Sequence, residues 1–295
     1  MDLSLTDEQK VFQRVAREFL DEHVVPFRAA WDRAEQVDTA LVPKLAELGF
    51  MGLTIPEEYG GIGGGYVTYC LGMEELGRAD SSVRGIVSVS MGLVGKSILG
   101  YGSEEQKQHW LRRIATGESL GCFGLTESDT GSDAGSLATR AVRDGDDYVI
   151  DGEKMFITNG TWADVCLVFA RTGGPGPRGI SAFLVPTNAP GLQRREIKGK
   201  LGLRGQATAE LFFEGVRVPA SARLGEEGQG FVYLMQNLPQ ERLSIAVMAA
   251  AAMESVLEET LQYVKERKAF GKPIGSFQNS RFVLAELATE ATAVR

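Results

Sequence analysis

The chain has 295 residues, of which 43% are hydrophobic and 24% are charged, and its formal net charge is −8 at pH 7. This length allows one large domain or two to three smaller ones, and the composition is that of an ordinary globular protein with a large core. The acidic balance argues against non-specific binding to nucleic acid or to an anionic membrane, so neither is predicted as a partner.

Cysteine and histidine usage narrows the chemistry that the chain can carry. Cys70, Cys122 and Cys166 are far apart and form no CxxC spacing, which argues against a zinc site or a disulfide framework and favours a cytoplasmic location. The two histidines, His23 and His109, lie in no metal-binding or catalytic-triad motif. We therefore predict no metal site and expect the chemistry to depend on carboxylates or on a bound organic cofactor.

The first part of the chain, residues 1–120, is predicted to be an all-α domain. Thr6 and Gln9 form a capping-box pattern ahead of apolar residues at helical spacing. The amino terminus has no signal-peptide core, and no apolar run reaches the roughly 20 residues that a membrane span requires. The glycine-rich stretch 59–66 follows no predicted strand, so we interpret it as a turn rather than a dinucleotide fingerprint.

Residues 121–228 are predicted to form a middle β-barrel or β-sandwich domain. The β-rich runs include VCLVFART, ISAFLVP and TAELFFEGVRVP, and turn signals such as DGDD, NG and GGPGPRG separate them. The basic run at 192–205 is interpreted as a solvated strand and turn, because runs of charge usually face water.

Residues 229–295 are predicted to form a C-terminal helical bundle that is incomplete. One long helix is expected to end near Gly271 and Pro273, and another to begin near Ser276 and to be still running at Arg295. The closing segment lacks the glycine, capping residue or polar tail with which helices normally end, which favours a chain truncated inside an element. The expected fold class is therefore α+β and multidomain, in the order helices, strands, helices.

The stretch NLPQERLSIAVMAAAAM, residues 237–253, places a charged pair, Glu241 and Arg242, directly before an almost entirely apolar helix. Pro239 suits the first position of a helix, and Glu241 would then occupy the third, where the helix dipole favours an acidic group. Taken alone, the stretch is therefore explained by a structural capping role for Glu241. The other motifs of the chain favour a catalytic role instead.

Four stretches in collinear order resemble the acyl-CoA dehydrogenases, which are flavoenzymes that desaturate acyl thioesters. They are GLTESDTGSD at 124–133, YVIDGEKMFITNG at 148–160, RVP at 217–219 and VKERKAFGKPIGSFQ at 264–278. The similarity extends over essentially the whole chain, and LPQERLSIA is similar to the long-chain and isovaleryl branch. The resemblance implies a flavin-dependent oxidoreductase of fatty acid metabolism with FAD as its cofactor.

The resemblance also implies which residues contact the cofactor. Family segments that line or stack against the flavin match Phe123, Leu125, Thr126, Phe156, Ile157 and Thr158, and Ser132 matches a position that meets the flavin or the thioester ligand. Many family members have tryptophan where Phe156 stands, although a phenyl ring also offers an apolar face. Arg267 is similar to the arginine that reaches the flavin pyrophosphate of a neighbouring subunit, and Phe270 and Gln278 match further cofactor contacts.

For Glu241 the resemblance favours the role of catalytic base, since the long-chain and isovaleryl branch carries its carboxylate on the corresponding helix. Glu241 would remove the α proton of the acyl thioester while the flavin accepts the β hydride, giving the trans-2-enoyl thioester. Arg242 would orient the carboxylate or contact the pantetheine arm. Because the dipole of a first helical turn favours the charged form, we expect Glu241 to be ionised in the free enzyme.

The expected partners follow from the same resemblance. The substrate would be an acyl-CoA or an acyl-carrier-protein thioester, the acceptor an electron-transfer flavoprotein or another acceptor, and the full-length protein a homotetramer or homodimer. Two alternatives stay open. One is an oxygen-reactive oxidase or monooxygenase of the same fold, and the other is a truncated, non-catalytic scaffold whose uncompleted bundle exposes apolar helix faces.

Overall fold

The computed structural model describes residues 4–295, and its first part is built from helices. The α-helices are Asp7–His23 (α1), Arg28–Ala34 (α2), Leu41–Glu47 (α3), Tyr66–Ala79 (α4), Ser81–Val87 (α5), Lys96–Tyr101 (α6), Glu104–Gln106 (α7) and Arg112–Ala115 (α8). Two π-helical segments, Ser88–Gly95 and Lys107–Leu111, join α5 to α6 and α7 to α8. The predicted helical character of this part is confirmed, and residues 1–3 of the predicted N-terminal domain lie outside the described chain.

Local sequence signals account for several helix starts. The side chain of Thr6 accepts a hydrogen bond from the backbone N–H of Gln9 at 3.2 Å, and the Gln9 side chain accepts one from the N–H of Thr6 at 3.0 Å. The predicted capping box is therefore present at α1. Ser103 and Gln106 form a second capping box at the start of α7. The stretch 59–66 connects two helices, as predicted.

Residues Ser81–Tyr101 form one continuous helical run at the centre of this part. Contrary to the sequence prediction, the run is long and apolar enough to cross a membrane by length and composition alone. However, 72% of its apolar window is buried inside the protein, where the run packs against α4 and the following strand. Packing within the core accounts for its hydrophobicity, because a helix surrounded by protein needs apolar residues on all sides.

The middle part is a β structure, as predicted. Its strands are Gly121–Gly124 (β1), Arg140–Asp144 (β2), Asp147–Thr158 (β3), Val165–Arg171 (β4), Ile180–Pro186 (β5), Leu192–Glu196 (β6), Thr208–Pro219 (β7) and Arg223–Leu224 (β8). They form one eight-stranded sheet in the order β6-β7-β3-β2-β4-β5-β8, with β1 paired to β4. The basic strand β6 is mostly exposed, which agrees with its predicted solvated character.

Strand β4 lies between two hydrophobic cores. Alternate residues Val165, Leu167 and Phe169 belong to a large core shared with the N-terminal helices. The intervening residues Cys166, Val168 and Ala170 belong to a second core within the sheet. Because successive side chains of a strand point to opposite faces, this one strand joins the helical part to the sheet. Short 3₁₀ turns complete the chain at Phe50–Gly52, Glu57–Tyr59, Ala134–Ser136, Pro177–Gly179, Ala220–Ala222 and Ile274–Ser276.

The C-terminal part consists of two helices and a small hairpin. Helix α9 (Gly230–Glu266) is followed by β9 (Lys268–Ala269), β10 (Lys272–Pro273) and α10 (Gln278–Val294). The long helix ends before the predicted position near Gly271, because Arg267 already has an extended backbone with ψ of 125°. The positive φ values of Phe270 (52°) and Gly271 (77°) belong to the turn that closes the hairpin. The sequence analysis missed this hairpin, whose two strands are only two residues long each.

Apolar side chains on α9 and α10 face outward. Val256 and Phe282 each retain 64% of their surface and Leu287 retains 47%. A groove of about 520 Å³ runs between the two helices and is lined almost entirely by apolar residues. Apolar surface of both helices is therefore exposed in the described chain.

Candidate active site

Glu241 lies inside α9, well after the helix begins at Gly230, so the capping role considered for it is wrong. Pro239 also falls inside the helix rather than at its first position. The dipole of a first helical turn therefore does not act on this carboxylate. Its side chain faces the N-terminal helices, where the hydroxyl group of Tyr69 on α4 donates to its Oε1 atom over 3.5 Å.

The surroundings of Glu241 raise its pKa above that of an ordinary glutamate. Its pKa is raised to about 7, because burial penalises the charged form. The positive charges of Arg84 and Lys96 and the hydrogen bond from Tyr69 oppose this shift without cancelling it. Glu241 was expected to be ionised because of a first-turn helix dipole, which does not act on it here, and desolvation outweighs the favourable charges, so only part of the group is ionised at neutral pH. A group whose pKa lies near the working pH is well suited to accept a proton.

A glycine in the π-helical segment Ser88–Gly95 makes room for this carboxylate. A Cβ atom at Gly92 would lie 2.8 Å from Oε1 of Glu241 and 2.8 Å from the hydroxyl oxygen of Tyr69. Gln240 also contacts this position, since its Nε2 atom donates to the carbonyl oxygen of Gly92 at 3.4 Å. π-Helical turns are rare and often occur at functional sites, which agrees with a backbone adapted to the carboxylate.

The arginine that acts on Glu241 is Arg84, which the sequence analysis did not select. Arg84 is buried on α5, and its Nη1 atom donates to the hydroxyl oxygen of Ser88 at 2.8 Å. Its Nε atom has no hydrogen-bond partner within the described chain, and burial lowers its pKa. The available sequence signal was a charged residue placed early in the apolar run 81–101.

Arg242, in contrast, is exposed. Consecutive side chains of a helix point in different directions, and no hydrogen bond or ion pair joins Arg242 to Glu241 in the part of the chain that the structure describes. No direct contact therefore supports its predicted role in orienting the carboxylate. The alternative contact with a pantetheine arm stays a prediction.

Several residues predicted to line the flavin lie on the loop after β1 and near the end of β3, which a backbone hydrogen bond joins. The backbone N–H of Met155 donates to the carbonyl oxygen of Thr126 at 2.8 Å, which joins the loop after β1 to β3. Phe123 and Leu125 are half-buried beside this junction, and the Phe123 ring packs on Phe169 with ring centroids 5.0 Å apart. The sequence signals for these positions therefore converge on one surface.

Phe156 is the most distinctive residue of this surface. Its side chain is 63% exposed, and its φ of 60° lies in the left-handed region that bulky residues rarely adopt. Such strain costs about 1–3 kcal/mol and clusters at ligand-binding positions. Phe156 follows Met155, whose backbone N–H bonds the carbonyl oxygen of Thr126, so an exposed aromatic ring lies in the stretch where the flavin contacts are predicted. Ile157 is buried in the sheet core, so its side chain is not part of this surface.

Hydrogen bonds tie this end of β3 to the neighbouring elements. The hydroxyl oxygen of Thr158 accepts from Nε2 of Gln206 at 2.9 Å. The side-chain Nδ2 of Asn159 donates to the carbonyl oxygen of Ile86 on α5 at 3.2 Å and to that of Gly121 on β1 at 3.1 Å. The surface around Phe156 is therefore held in place by both the helical part and the sheet.

A buried ion pair between Lys154 and Glu127 lies next to the loop after β1. Nζ of Lys154 donates to Oε1 of Glu127 at 2.7 Å and to the carbonyl oxygen of Leu125 at 3.2 Å. The Glu127 carboxylate also accepts from the backbone N–H groups of Ala138 at 2.6 Å and Thr139 at 3.0 Å. Burial lowers the pKa of Lys154, and although burial alone would raise the pKa of Glu127, the lysine charge brings it below its usual value. The sequence analysis missed this pair.

The remaining predicted site residues are exposed. Ser132 lies in the loop after β1, and Arg267, Phe270 and Gln278 lie around the connection between α9 and α10. Phe270 is 95% exposed, and its ring contacts Phe277 with centroids 6.2 Å apart. Across residues 4–295, no hydrogen bond, ion pair or ring contact joins this connection to the surface around Phe156. The contacts foreseen for these residues stay predictions.

The fold places helices before and after a β-sheet, with a buried carboxylate of raised pKa on one helix and an exposed aromatic ring on the sheet, which agrees with the class of cofactor-dependent oxidoreductases. Comparison with known families gives the same class. Family models described as the N-terminal, middle and C-terminal domains of acyl-CoA dehydrogenase match residues 6–118, 122–216 and 228–295. The chain belongs to the acyl-CoA dehydrogenase family, and the predicted enzyme class and FAD cofactor are confirmed.

Similar proteins span nearly the whole chain. The mitochondrial long-chain specific acyl-CoA dehydrogenase of Sus scrofa is 42% identical over 98% of this chain and 68% of its own length. A glutaryl-CoA dehydrogenase of Mycobacterium smegmatis, solved in complex with FADH2, is 39% identical with a TM-score of 0.93, covering 98% of this chain and 74% of its own. A chain from a structure of the electron transferring flavoprotein of Acidaminococcus fermentans is 40% identical with a TM-score of 0.95, covering 99% and 77%.

Proposed function

We propose that the chain catalyses α,β-dehydrogenation of an acyl-CoA to the trans-2-enoyl-CoA, with Glu241 as the catalytic base. The observation that carries this proposal is a carboxyl group that faces the N-terminal helices, accepts a hydrogen bond from Tyr69 and packs against Gly92. Burial there raises its pKa to about 7. FAD, when bound, supplies the oxidant that takes up the β hydride. The proton from the α carbon passes to the Glu241 carboxylate.

Tyr69 and Arg84 control how much of Glu241 is ionised. Both favour the ionised carboxylate and so keep part of the Glu241 population able to accept a proton at neutral pH. The apolar residues that follow Glu241 on α9 would exclude water from a bound acyl chain, which strengthens the electrostatic interactions at the reacting carbon. Tyr69 and Arg84 influence the ionisation of Glu241 without needing to contact the substrate.

The end of β3 and the loop after β1 are proposed as the flavin-contacting surface. Phe156 would offer its exposed ring to the isoalloxazine, and its strained backbone supports this role. The other proposed contacts on this surface are Phe123, Leu125, Thr126, Ile157 and Thr158, with Ile157 contributing through its backbone. Ser132 would meet the flavin or the thioester.

A second group of residues is proposed to act across a subunit boundary. Arg267 would pair with the pyrophosphate of the FAD in a neighbouring subunit, since its guanidinium fork suits a diphosphate and is exposed. Phe270 and Gln278 would add contacts from the same connection, and Arg242 would meet the pantetheine arm. This arrangement requires a homodimer or homotetramer.

The proposed carrier, electron acceptor and location follow from the family and from the cysteines. The acyl group would be carried by coenzyme A, with an acyl-carrier protein as the alternative carrier. An electron-transfer flavoprotein is proposed as the acceptor, which the similarity to the Acidaminococcus fermentans chain supports. A cytoplasmic location agrees with three cysteines that form no disulfide. We also propose that the domains are 1–120, 121–228 and 229–295.

Anaerobic mixing with acyl-CoAs tests this function. The FAD-loaded wild type should lose visible flavin absorbance as the flavin is reduced. Glu241→Gln should retain FAD but be reduced slower by several orders of magnitude, because it lacks the base. Glu258→Gln, an exposed carboxylate change on the same helix, is the matched control and should behave as wild type. Near-normal reduction of Glu241→Gln would contradict the proposal, and fast reoxidation by air would favour the oxidase alternative.

A further inference from the structure

A cleft of about 700 Å³ opens between strand β2 and the loop that follows β4. Among the described residues, β2 and β4 pair through Arg140 and Arg171 alone, because β4 ends there while β2 continues. The lining combines apolar and glycine residues with Arg140, Arg143 and Arg171, and no acidic side chain of the described chain belongs to it. The cleft is therefore positively charged, although the whole protein has a net charge of −8.

Arg171 holds the two sides of the cleft together. Its Nη1 atom donates to the carbonyl oxygens of Gly174 at 2.8 Å and Gly176 at 3.0 Å on one side. On the other side, its Nη2 atom donates to those of Gly135 and Leu137, each at 3.0 Å, and its Nε atom donates to that of Leu137 at 3.2 Å. These acceptors are neutral, and no carboxylate within residues 4–295 forms an ion pair with Arg171.

Arg140 adds a second positive charge next to Arg171. The two residues lie opposite each other on adjacent strands, where like charges repel and destabilise a sheet. The side chain of Arg140 is exposed and forms no hydrogen bond or ion pair with any other residue in the range 4–295. Arg143 donates from Nε to the carbonyl oxygen of Gly145 at 3.2 Å, which leaves its charge without a carboxylate in the described chain.

Carboxylates close to these arginines have other partners. Asp151 lies opposite Arg140 on β3, but its carboxylate accepts a hydrogen bond from the backbone N–H of Gly215 at 2.7 Å. Asp144, at the end of β2, forms an ion pair with Arg217. The repulsion within the cleft is therefore not relieved by the described part of the protein, so an anion from outside is the natural counter-charge.

We propose that this cleft binds the phosphate groups of an organic phosphate. A phosphate monoester carries about −1.5 to −2 charges at neutral pH and has three strong acceptor oxygens. It therefore offsets the repulsion between Arg140 and Arg171, and the free guanidinium fork of Arg140 suits two of its oxygens at once. A single carboxylate has one charge and two oxygens, so it matches the cleft less well.

The cleft lies next to the loop that is proposed to contact the flavin. The backbone N–H of Ala138, which lines the cleft, donates to the Glu127 carboxylate of that loop at 2.6 Å. Coenzyme A carries a phosphate monoester and a diphosphate, so the acyl carrier is one source of the ligand, and a free nucleoside diphosphate is the other. The first source rests on the function proposed above, whereas the site itself does not.

Calorimetric titration with ADP measures the site without turnover. The FAD-loaded protein is used, because the diphosphate of FAD can otherwise occupy the cleft. Adenosine and succinate should bind at least about tenfold more weakly than ADP, since one lacks phosphate and the other offers only carboxylates. Arg140→Gln should weaken ADP binding at least about tenfold through the loss of charge-assisted hydrogen bonds, whereas Arg33→Gln, an exposed arginine change on α2, should not.

A merely structural role for Arg140 is tested by urea unfolding. Arg140→Gln should be at least as stable as wild type, because it removes a like-charge pair. Absent ADP binding, equal binding of adenosine or succinate, or ADP binding that Arg140→Gln leaves unchanged would overturn the inference.

Competition between ADP and coenzyme A distinguishes the two sources. Displacement of ADP by coenzyme A would assign the ligand to the acyl carrier, and ADP binding that coenzyme A leaves unaffected would assign it to a free nucleotide. Either result supports a phosphate site in the cleft. Failure of the proposed function is read separately, as wild-type flavin that no acyl-CoA reduces.

Discussion

Gly92 and Glu241 face each other so closely that a Cβ atom at position 92 would lie 2.8 Å from Oε1 of the carboxylate. Real Cβ atoms do not approach an oxygen so closely in a packed interior, so only glycine leaves Glu241 and Tyr69 where they are. The helical run that carries Gly92 and the helix that carries Glu241 therefore define the space available to the base.

Replacing Gly92 by alanine should displace the base without unfolding the protein. We expect at least about a tenfold loss of turnover, because small misplacements of a catalytic group are costly, and a loss of about 1–3 kcal/mol in unfolding free energy from overpacking. Flavin reduction and denaturant unfolding measure the two effects. The control is Gly100→Ala on α6, where an added Cβ meets no atom within 4 Å. Wild-type turnover in Gly92→Ala would show that the close contact has no functional meaning.

The pH dependence of flavin reduction should report the ionisation of Glu241. Only the charged carboxylate accepts a proton, and its pKa is about 7, so kcat/KM should rise with pH through the neutral range and then level off. Stopped-flow reduction by an acyl-CoA across this range provides the profile. An acid limb centred near the ordinary glutamate value of 4.5 would mean that burial does not control this group in solution.

Arg84→Met should move that acid limb to higher pH. The positive charge of Arg84 lowers the pKa of Glu241, so removing it leaves desolvation with less opposition. We expect turnover several-fold below wild type at neutral pH, with recovery in more alkaline buffer. Arg33→Met, an exposed arginine change on α2, should leave the profile unchanged. An equal loss at every pH would instead indicate that Arg84 acts by packing alone.

Lys154→Met should weaken both the fold and flavin retention. It leaves the Glu127 carboxylate buried without its cation, for which we expect a loss of about 3–5 kcal/mol in unfolding free energy. It also removes the donor to Leu125, so the proposed flavin-contacting loop should hold FAD less tightly. Urea unfolding and the absorbance of bound flavin after gel filtration measure these effects. The exposed pair of Lys198 and Glu196 provides the control, because Lys198→Met should cost no more than about 1 kcal/mol.

Local sequence signals were sufficient for much of the architecture. Capping boxes, turn residues and the change from helical to alternating patterns act over a few residues, so the capping box at Thr6 and the strands of the sheet were predictable. The hairpin after α9 was missed because its strands are too short to produce a pattern. The end of α9 was misplaced for the same reason.

The proposed site was only partly predictable. Glu241 and Phe156 were selected through motifs, whereas Arg84, Gly92 and Lys96 were not, because they lie far from Glu241 in sequence and belong to a run that looks like ordinary core. The capping interpretation of Glu241 was wrong because the helix had already begun before Pro239. A proline inside a long helix gives the same local signal as a proline at its start.

The sequence by itself determined the family, the order of helices and strands, and the candidate base, since each of these is encoded in short motifs and in local periodicity. Only the tertiary structure decided the charge state of that base and the shape of the space around it. The reason is that the pKa of Glu241 depends on burial and on charges carried by a helix more than a hundred residues away in the sequence. Local sequence patterns extend over a few residues only, so they hold no information about such contacts.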